Sequence, residues 1–144
     1  HIHLSKIPES AILDRSIYED AHIFARALHH MDNLPDRDYQ AYLRLFQVIV
    51  ETLPRPDLLI YLKAPVPILL ERIRRRARSI ESSIDNNYLS LLERFYDEWI
   101  EEFNLCPVLT VSSNDLDFVH RTEHLDIIAK WVTDRLSGRE EMVF

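Results

Sequence analysis

Residues 57–62 read Asp-Leu-Leu-Ile-Tyr-Leu, an almost unbroken apolar run that follows Pro54-Arg-Pro56. A run of this kind is typical of a central parallel strand that is covered on both faces. The next residues, Lys63-Ala-Pro-Val-Pro67, lead into a helical pattern, and proline is well tolerated in the first turn of a helix. The stretch therefore predicts a strand that is followed at once by a helix.

The flanking sequence extends this pattern in both directions. Short apolar runs at 10–14 and 108–111 predict two further strands, the first of them buried and parallel. Apolar residues recur at helical spacing over 17–30, 39–53, 84–103 and 122–137, and Gly138 stops the last helix. Strands that alternate with helices indicate an α/β fold with a parallel sheet, and 144 residues are expected to form a single domain, 1–144.

The composition narrows the class of protein. The chain has 17 Lys and Arg against 24 Asp and Glu, which gives a net charge of −7. No apolar run approaches the roughly 20 residues of a membrane span, and no signal peptide is visible, so we expect no membrane partner. The single cysteine, Cys106, is expected to be a buried structural thiol and fits a reducing cytoplasm.

An arginine cluster stands out in this acidic chain. Residues 72–81 read Arg-Ile-Arg-Arg-Arg-Ala-Arg-Ser-Ile-Glu and contain five of the fourteen arginines. A guanidinium group binds phosphate oxygens two at a time, so the cluster indicates a site for a small polyanion. A solvated helix face is the alternative. Nucleic-acid binding is disfavoured because the cluster is compact and the chain as a whole is acidic.

A second group of functional residues is predicted near the N-terminus. Asp14-Arg15-Ser16 ends the first predicted strand, and Asp20 then precedes Phe24 by one helical turn. A carboxylate beside an aromatic ring could hydrogen-bond and stack a planar base. An acid that favours the helix dipole, next to a core phenylalanine, explains the same pattern.

These two groups, in this order and spacing, resemble the deoxynucleoside kinase family, particularly its bacterial deoxyadenosine/deoxyguanosine branch. The resemblance extends over essentially all 144 residues. It implies a P-loop kinase-like three-layer fold, in which helices flank a parallel sheet. It also implies transfer of the ATP γ-phosphate to the 5′-hydroxyl of a deoxynucleoside, with a purine one favoured. Magnesium would accompany ATP, and a homodimer would form through helices.

The resemblance also implies roles for individual residues. Arg15 would contact the phosphoryl-transfer region, and Asp14 would lie close to the magnesium and phosphates. Asp20 would hydrogen-bond the base, and Phe24 would stack on it. Glu81 would bind the deoxyribose 3′-hydroxyl. Lid arginines and a loop at 114–118 would hold the phosphates and adenine of ATP: Arg72, Arg76, Arg78, Asp117 and Phe118.

The chain departs from the family in one respect. With the single glycine Gly138, it cannot contain a glycine-rich phosphate loop, and the general-base glutamate cannot be placed either. We therefore expect an N-terminally incomplete kinase chain that is inactive by itself. A non-catalytic binding or oligomerisation module and a thymidylate kinase-like enzyme are the alternatives. No protein metal site is predicted, since His120 and His124 have no third ligand.

Overall fold

The structure, a computed structural model, describes residues 10–78, 84–114, 116 and 121–137. Its regular elements alternate helices with two strands, whereas the sequence predicts three strands. In chain order they are α1 (Ile17–Glu19), a π-helical segment (Asp20–Ala25), α2 (Arg26–His30), α3 (Asp36–Thr52), β1 (Leu59–Lys63), α4 (Val66–Arg76), α5 (Asn86–Glu102), β2 (Val108–Ser112) and α6 (Thr122–Ser137).

Strands β1 and β2 form a parallel pair, in register from Leu59 opposite Val108 to Lys63 opposite Ser112. The presence of a strand in the apolar run at 57–62 is thus confirmed, as is the strand at 108–111. The expectation that the first is covered on both faces was wrong for the described residues, since none of residues 59–63 is fully buried and Leu62 is 48% exposed. The helix after β1 begins at Val66 and has Pro67 in its first turn, where a missing N–H leaves no hydrogen bond unmade. The parallel sheet with its helices confirms the α/β fold class.

The strand predicted at 10–14 is not present. Residues 10–13 have no regular structure, and Ile12 is 90% exposed while Leu13 is 45% exposed. A strand is held by hydrogen bonds to a neighbouring strand, and the sheet of the described residues consists of β1 and β2 alone. An apolar run this short does not by itself determine whether such pairing forms, so this prediction was wrong for the described chain.

The chain divides into two compact units, His1–Arg55 with Ser90–Glu102, and Pro56–Leu89 with Phe103–Phe144. The first unit is helical and buries aliphatic and aromatic side chains, among them Ala21, Ile23, Phe95 and Trp99. In the second unit, a core of Leu109, Val111 and Ile128 lies between the sheet and α6. The single-domain expectation stays a prediction.

Helix α3 exposes part of its apolar face. None of its residues is fully buried, and Leu45 and Val48 are 59% and 63% exposed.

In the described part of the chain, every helix falls short of the length and hydrophobicity that a bilayer crossing requires. Cys106 is half-buried, which is more accessible than the sequence led us to expect.

Candidate functional site

Arg15 has an unusual backbone conformation. Its φ angle is +69°, in the left-handed region that residues with a Cβ rarely occupy. Its guanidinium carbon lies 4.8 Å from the centroid of the Phe24 ring, within the range of a cation–π interaction. Non-glycine residues that are held in this region cluster at functional sites. The sequence singled out both residues but gave no indication that they touch.

Helix α1, which follows Arg15, is held at its first turn by hydrogen bonds to Glu19. Ser16 is the N-cap of α1, and its backbone N–H donates to Oε2 of Glu19 at 2.9 Å. The other carboxylate oxygen of Glu19 accepts a hydrogen bond from the Tyr96 hydroxyl at 2.8 Å. Glu19 therefore ties the start of the helix to α5. Sequence reasoning missed Glu19, although its position three residues after Ser16 is the spacing of a capping box.

Asp20 and Phe24 both lie in the π-helical segment, Asp20–Ala25. The sequence predicted an ordinary α-helix here. A π-helical turn, in which hydrogen bonds run between residues i and i+5, is rare and is found frequently at functional sites. Asp20 is exposed at the beginning of the segment, and Phe24 is half-buried. The backbone irregularity therefore coincides with the two residues that were predicted to contact a base.

Tyr42 of α3 is near the Asp20 carboxylate. Burial raises the pKa of Tyr42 above its ordinary value of 10.0, and the negative charge of Asp20 and then Tyr39 raise it further. The sequence placed Tyr42 in the apolar stripe of its helix, so its proximity to Asp20 was missed. The phenol hydroxyl can donate a hydrogen bond to an acceptor atom of a ligand, whereas the carboxylate accepts hydrogen bonds from donor groups.

The π-helical segment packs against α3 and α5 through His22. The imidazole stacks on Trp99 with the ring centroids 6.1 Å apart and 17° between the planes, and it meets Phe46 edge-on at 5.5 Å. Burial lowers the pKa of His22 from its ordinary value of 6.5; the charge of Glu102 opposes the shift, and that of Arg26 adds to it. Through these two ring contacts, His22 connects the π-helical segment to both helices.

The arginine helix α4 is attached to the end of the sheet. Arg72 donates from Nη1 to the Ser113 hydroxyl at 3.0 Å and from Nη2 to the Ser113 carbonyl oxygen. Ser113 is 2% exposed, and its hydroxyl and backbone N–H both donate to the Lys63 carbonyl oxygen, at 3.1 and 2.8 Å. Helix α4 then ends at Arg76, because Ala77 adopts the left-handed conformation with a φ of +50°. Arg76 and Arg78 are exposed on either side of this turn.

The predicted site residues are divided between the two units. Asp14, Arg15, Asp20 and Phe24 belong to the first unit, and Arg72, Arg76 and Arg78 belong to the second. Within the first unit, the structure brings Arg15 and Phe24 together. The predicted roles of Glu81, Asp117 and Phe118 fall outside the described residues. The described residues contain no group of three potential metal ligands.

Known proteins resemble this chain over most of its length. The family profile of the deoxynucleoside kinases matches residues 2–137. The deoxyadenosine/deoxycytidine kinase of Bacillus subtilis is 36% identical over 132 residues, 90% of this chain and 61% of the relative. The deoxyadenosine kinase of Dictyostelium discoideum is 37% identical over 102 residues, 70% of this chain and 41% of the relative.

A third relative, the deoxyguanosine kinase of Bacillus subtilis, is 30% identical over 122 residues, which are 82% of this chain and 59% of the relative. The chain thus spans 41% to 61% of the length of these three relatives. The family profile includes both the Arg15 turn and the arginine helix. With a match over nearly all of its residues, the chain belongs to the deoxynucleoside kinase family.

Proposed function

We propose that the whole encoded protein is an ATP-dependent deoxynucleoside kinase, which transfers the γ-phosphoryl group of ATP to the 5′-hydroxyl of a deoxynucleoside. The observation that carries the proposal is the contact between Arg15 and Phe24 beside a π-helical turn, in a chain of this family. Membership of this family favours the nucleoside enzyme over a thymidylate kinase.

The nucleoside is proposed to bind at the π-helical segment. Phe24 offers an aromatic face for stacking, and the Asp20 carboxylate accepts hydrogen bonds from amino or imino groups of the base. Adenine, guanine and cytosine present such donors. The names of the three relatives cover deoxyadenosine, deoxyguanosine and deoxycytidine, and a purine deoxynucleoside is our first choice. Glu81 is proposed to bind the 3′-hydroxyl.

The ATP phosphates are proposed to bind the arginine-bearing part of the chain. Phosphoryl transfer requires mainly the positioning of two substrates and the neutralisation of charge on the transferred group. Arg76 and Arg78, at the C-terminal end of α4, would supply positive charge, and Arg15 would act near the 5′ end of the nucleoside. Asp117 and Phe118 are proposed to contact the adenine of ATP.

Magnesium is proposed to arrive with ATP. Mg²⁺ prefers oxygen ligands and usually keeps several waters, so one carboxylate together with the phosphates is sufficient for it. Asp14 provides an exposed carboxylate beside Arg15 and fits this requirement. In the family reaction the ion neutralises phosphate charge. Asp14 would contribute by orienting the hydrated ion.

The sequence lacks the glycine-rich loop that cradles β- and γ-phosphates, and this has a direct consequence. We propose that the 144 residues alone do not catalyse the reaction. The alternative is a non-catalytic binding or oligomerisation module, which the exposed Leu45 and Val48 on α3 favour. The same face supports a homodimer formed through helices. The presence of a single cysteine in the sequence supports a reducing, cytoplasmic environment.

A substrate panel on the whole encoded protein tests the proposal. Deoxyadenosine, deoxyguanosine, deoxycytidine and thymidine are each incubated with ATP and magnesium, and the 5′-monophosphate is quantified. Turnover of at least one purine deoxynucleoside supports the kinase. Binding of nucleosides without turnover by the whole protein would instead support the non-catalytic module.

The oligomeric state is tested separately by light scattering after size exclusion. Leu45→Glu is expected to convert a dimer to a monomer, because a buried carboxylate without a partner is strongly unfavourable. Gln47→Glu, at an exposed position of the same helix, makes the same change of one charge unit, serves as the control and is expected to leave the dimer intact. A dimer that persists with Leu45→Glu would exclude this face from the interface.

A further inference from the structure

We propose that Arg72 is a positioning residue, which binds Ser113 and thereby holds the arginine helix α4 in the orientation that presents Arg76 to ATP. The inference rests on the proposed function, since it assigns a task to the ATP end of that site. It replaces the role of direct phosphate ligand that the sequence suggested for Arg72.

The first argument is the geometry of the attachment. Two nitrogens of one guanidinium bind two oxygens of one residue, Ser113, which follows β2 directly. A planar group that is held at two points cannot rotate about a single hydrogen bond. The contact therefore restrains the rotation of α4 about its own axis as well as its distance from the sheet.

The second argument is the burial of the acceptor. Ser113 is 2% exposed, the one polar side chain in the core of the described residues. If Arg72, which is itself exposed, turned away to bind a phosphate, the Ser113 carbonyl oxygen would lose a charged donor, although Ser113 is almost inaccessible to water. Leaving a buried acceptor without its partner is unfavourable. The arginine is thus better suited to stay with Ser113 throughout the reaction.

The third argument links the contact to the site. Ser113 is bound in turn to the Lys63 carbonyl oxygen at the end of β1, so one residue connects both strands with α4. Arg76 follows Arg72 by one helical turn and projects from the same side of the helix. Ser113 also directly precedes Asn114, where the predicted adenine-binding loop begins. Fixing Arg72 therefore also fixes the side of α4 that carries Arg76. The attachment lies at the carboxyl ends of β1 and β2, and parallel sheets bind their ligands at this end.

The test is a double-mutant cycle on the whole encoded protein, with Arg72→Ala, Ser113→Ala and the double variant. Arg72→Lys is added because it keeps the charge but loses the two-point attachment. Arg75→Ala is the control for removing an exposed arginine from the same helix. The readouts are the Kd for ATP by calorimetry, KM for ATP and for deoxynucleoside, kcat, and the Tm without ligand.

We expect Arg72→Ala to raise the Kd and KM for ATP about tenfold and Ser113→Ala about threefold, while KM for the deoxynucleoside is unchanged. The double variant should bind ATP no worse than Arg72→Ala, because both changes break one interaction. Arg72→Lys should resemble Arg72→Ala, and Arg75→Ala should resemble the wild type.

A direct phosphate contact would give a different pattern. Arg72→Lys and Ser113→Ala would then bind ATP like the wild type, or the two alanine changes would be additive, and either result overturns the inference. A lower Tm and kcat with both KM values unchanged would show a merely structural contact and would also overturn it. A protein that binds ATP with the expected coupling but transfers no phosphate would reject the proposed function and support the role of Arg72.

Discussion

The guanidinium of Arg15 lies over the ring of Phe24 at 4.8 Å, so a residue predicted to act at the phosphoryl group contacts a residue predicted to stack the base. The two are nine positions apart in sequence, and a left-handed turn at Arg15 directly precedes the helical run that carries Phe24. A base that stacks on this ring would occupy the opposite face or displace the guanidinium. Nucleoside binding and the position of Arg15 are therefore expected to be coupled.

Replacement of Phe24 tests this site. Phe24→Leu keeps an apolar side chain but removes the ring, so the KM for deoxynucleoside is expected to rise about two- to tenfold, the range that aromatic stacking contributes beyond area burial. KM for ATP should not change. Steady-state kinetics at saturating ATP measure the effect, and an unchanged nucleoside KM would exclude Phe24 from base stacking.

The left-handed backbone conformation of Arg15 predicts that two variants at this position differ in stability. Arg15→Ala and Arg15→Gly both remove the guanidinium and should both lower turnover. Glycine adopts a positive φ without steric conflict, so Arg15→Gly is expected to be up to about 1 kcal/mol more stable than Arg15→Ala. Urea unfolding monitored by circular dichroism compares them. A less stable glycine variant would show that the conformation stores no strain.

Asp20 is predicted to hydrogen-bond the base, and its charge raises the pKa of Tyr42. Asp20→Asn replaces an acceptor-only group by one that also donates, so the relative rates for deoxyadenosine, deoxyguanosine and deoxycytidine should change more than the Tm. Identical relative rates would rule out Asp20 as the base reader.

The same Asp20→Asn variant makes a second measurement informative. Removing the negative charge should lower the pKa of Tyr42, because the carboxylate disfavours the phenolate form. NMR titration of the tyrosine ring carbons measures the shift, with Tyr42→Phe to assign the signal. A pKa of Tyr42 that does not move would mean that the two side chains are not neighbours in solution.

Arg76 is expected to stabilise charge during phosphoryl transfer. Arg76→Ala should lower kcat at least about tenfold while the Tm stays close to that of the wild type, since loss of one charge-stabilising donor commonly reduces turnover by more than this. Arg75→Ala, on the same helix, is the matched control and should retain turnover. Equal turnover of both variants and the wild type would remove Arg76 from the proposed site.

His22 predicts how stability depends on pH. Its pKa in the folded protein is lowered below 6.5, so the neutral form is favoured by folding. The unfolded chain binds a proton first as the pH falls, and this contribution to stability is present above pH 6.5 and lost as the pH falls through the lowered folded pKa. Denaturant unfolding between pH 7.5 and 5 should show a smaller decline for His22→Gln. The same decline in both proteins would assign it to other groups.

Several features of the fold could be predicted from the sequence because they depend on residues that are adjacent in the chain. The apolar run at 57–62 predicted β1, and Pro67 predicted the start of α4. Strand 10–14 was predicted by the same logic and is absent, because a strand also needs a pairing partner that a local pattern does not reveal.

The same distinction between local and tertiary information applies to the candidate site. Residue types and spacing were enough to single out Arg15, Asp20, Phe24 and the arginine helix, since chemistry and helical periodicity are local properties of the chain. The π-helical turn, the proximity of Tyr42 to Asp20 and the contact from Arg72 to Ser113 came only with the tertiary structure. Arg72 and Ser113 are separated by 41 positions, and packing of α4 against the strand ends decides whether they meet. The sequence alone determined which side chains are available, and the tertiary structure decided which partners they bind.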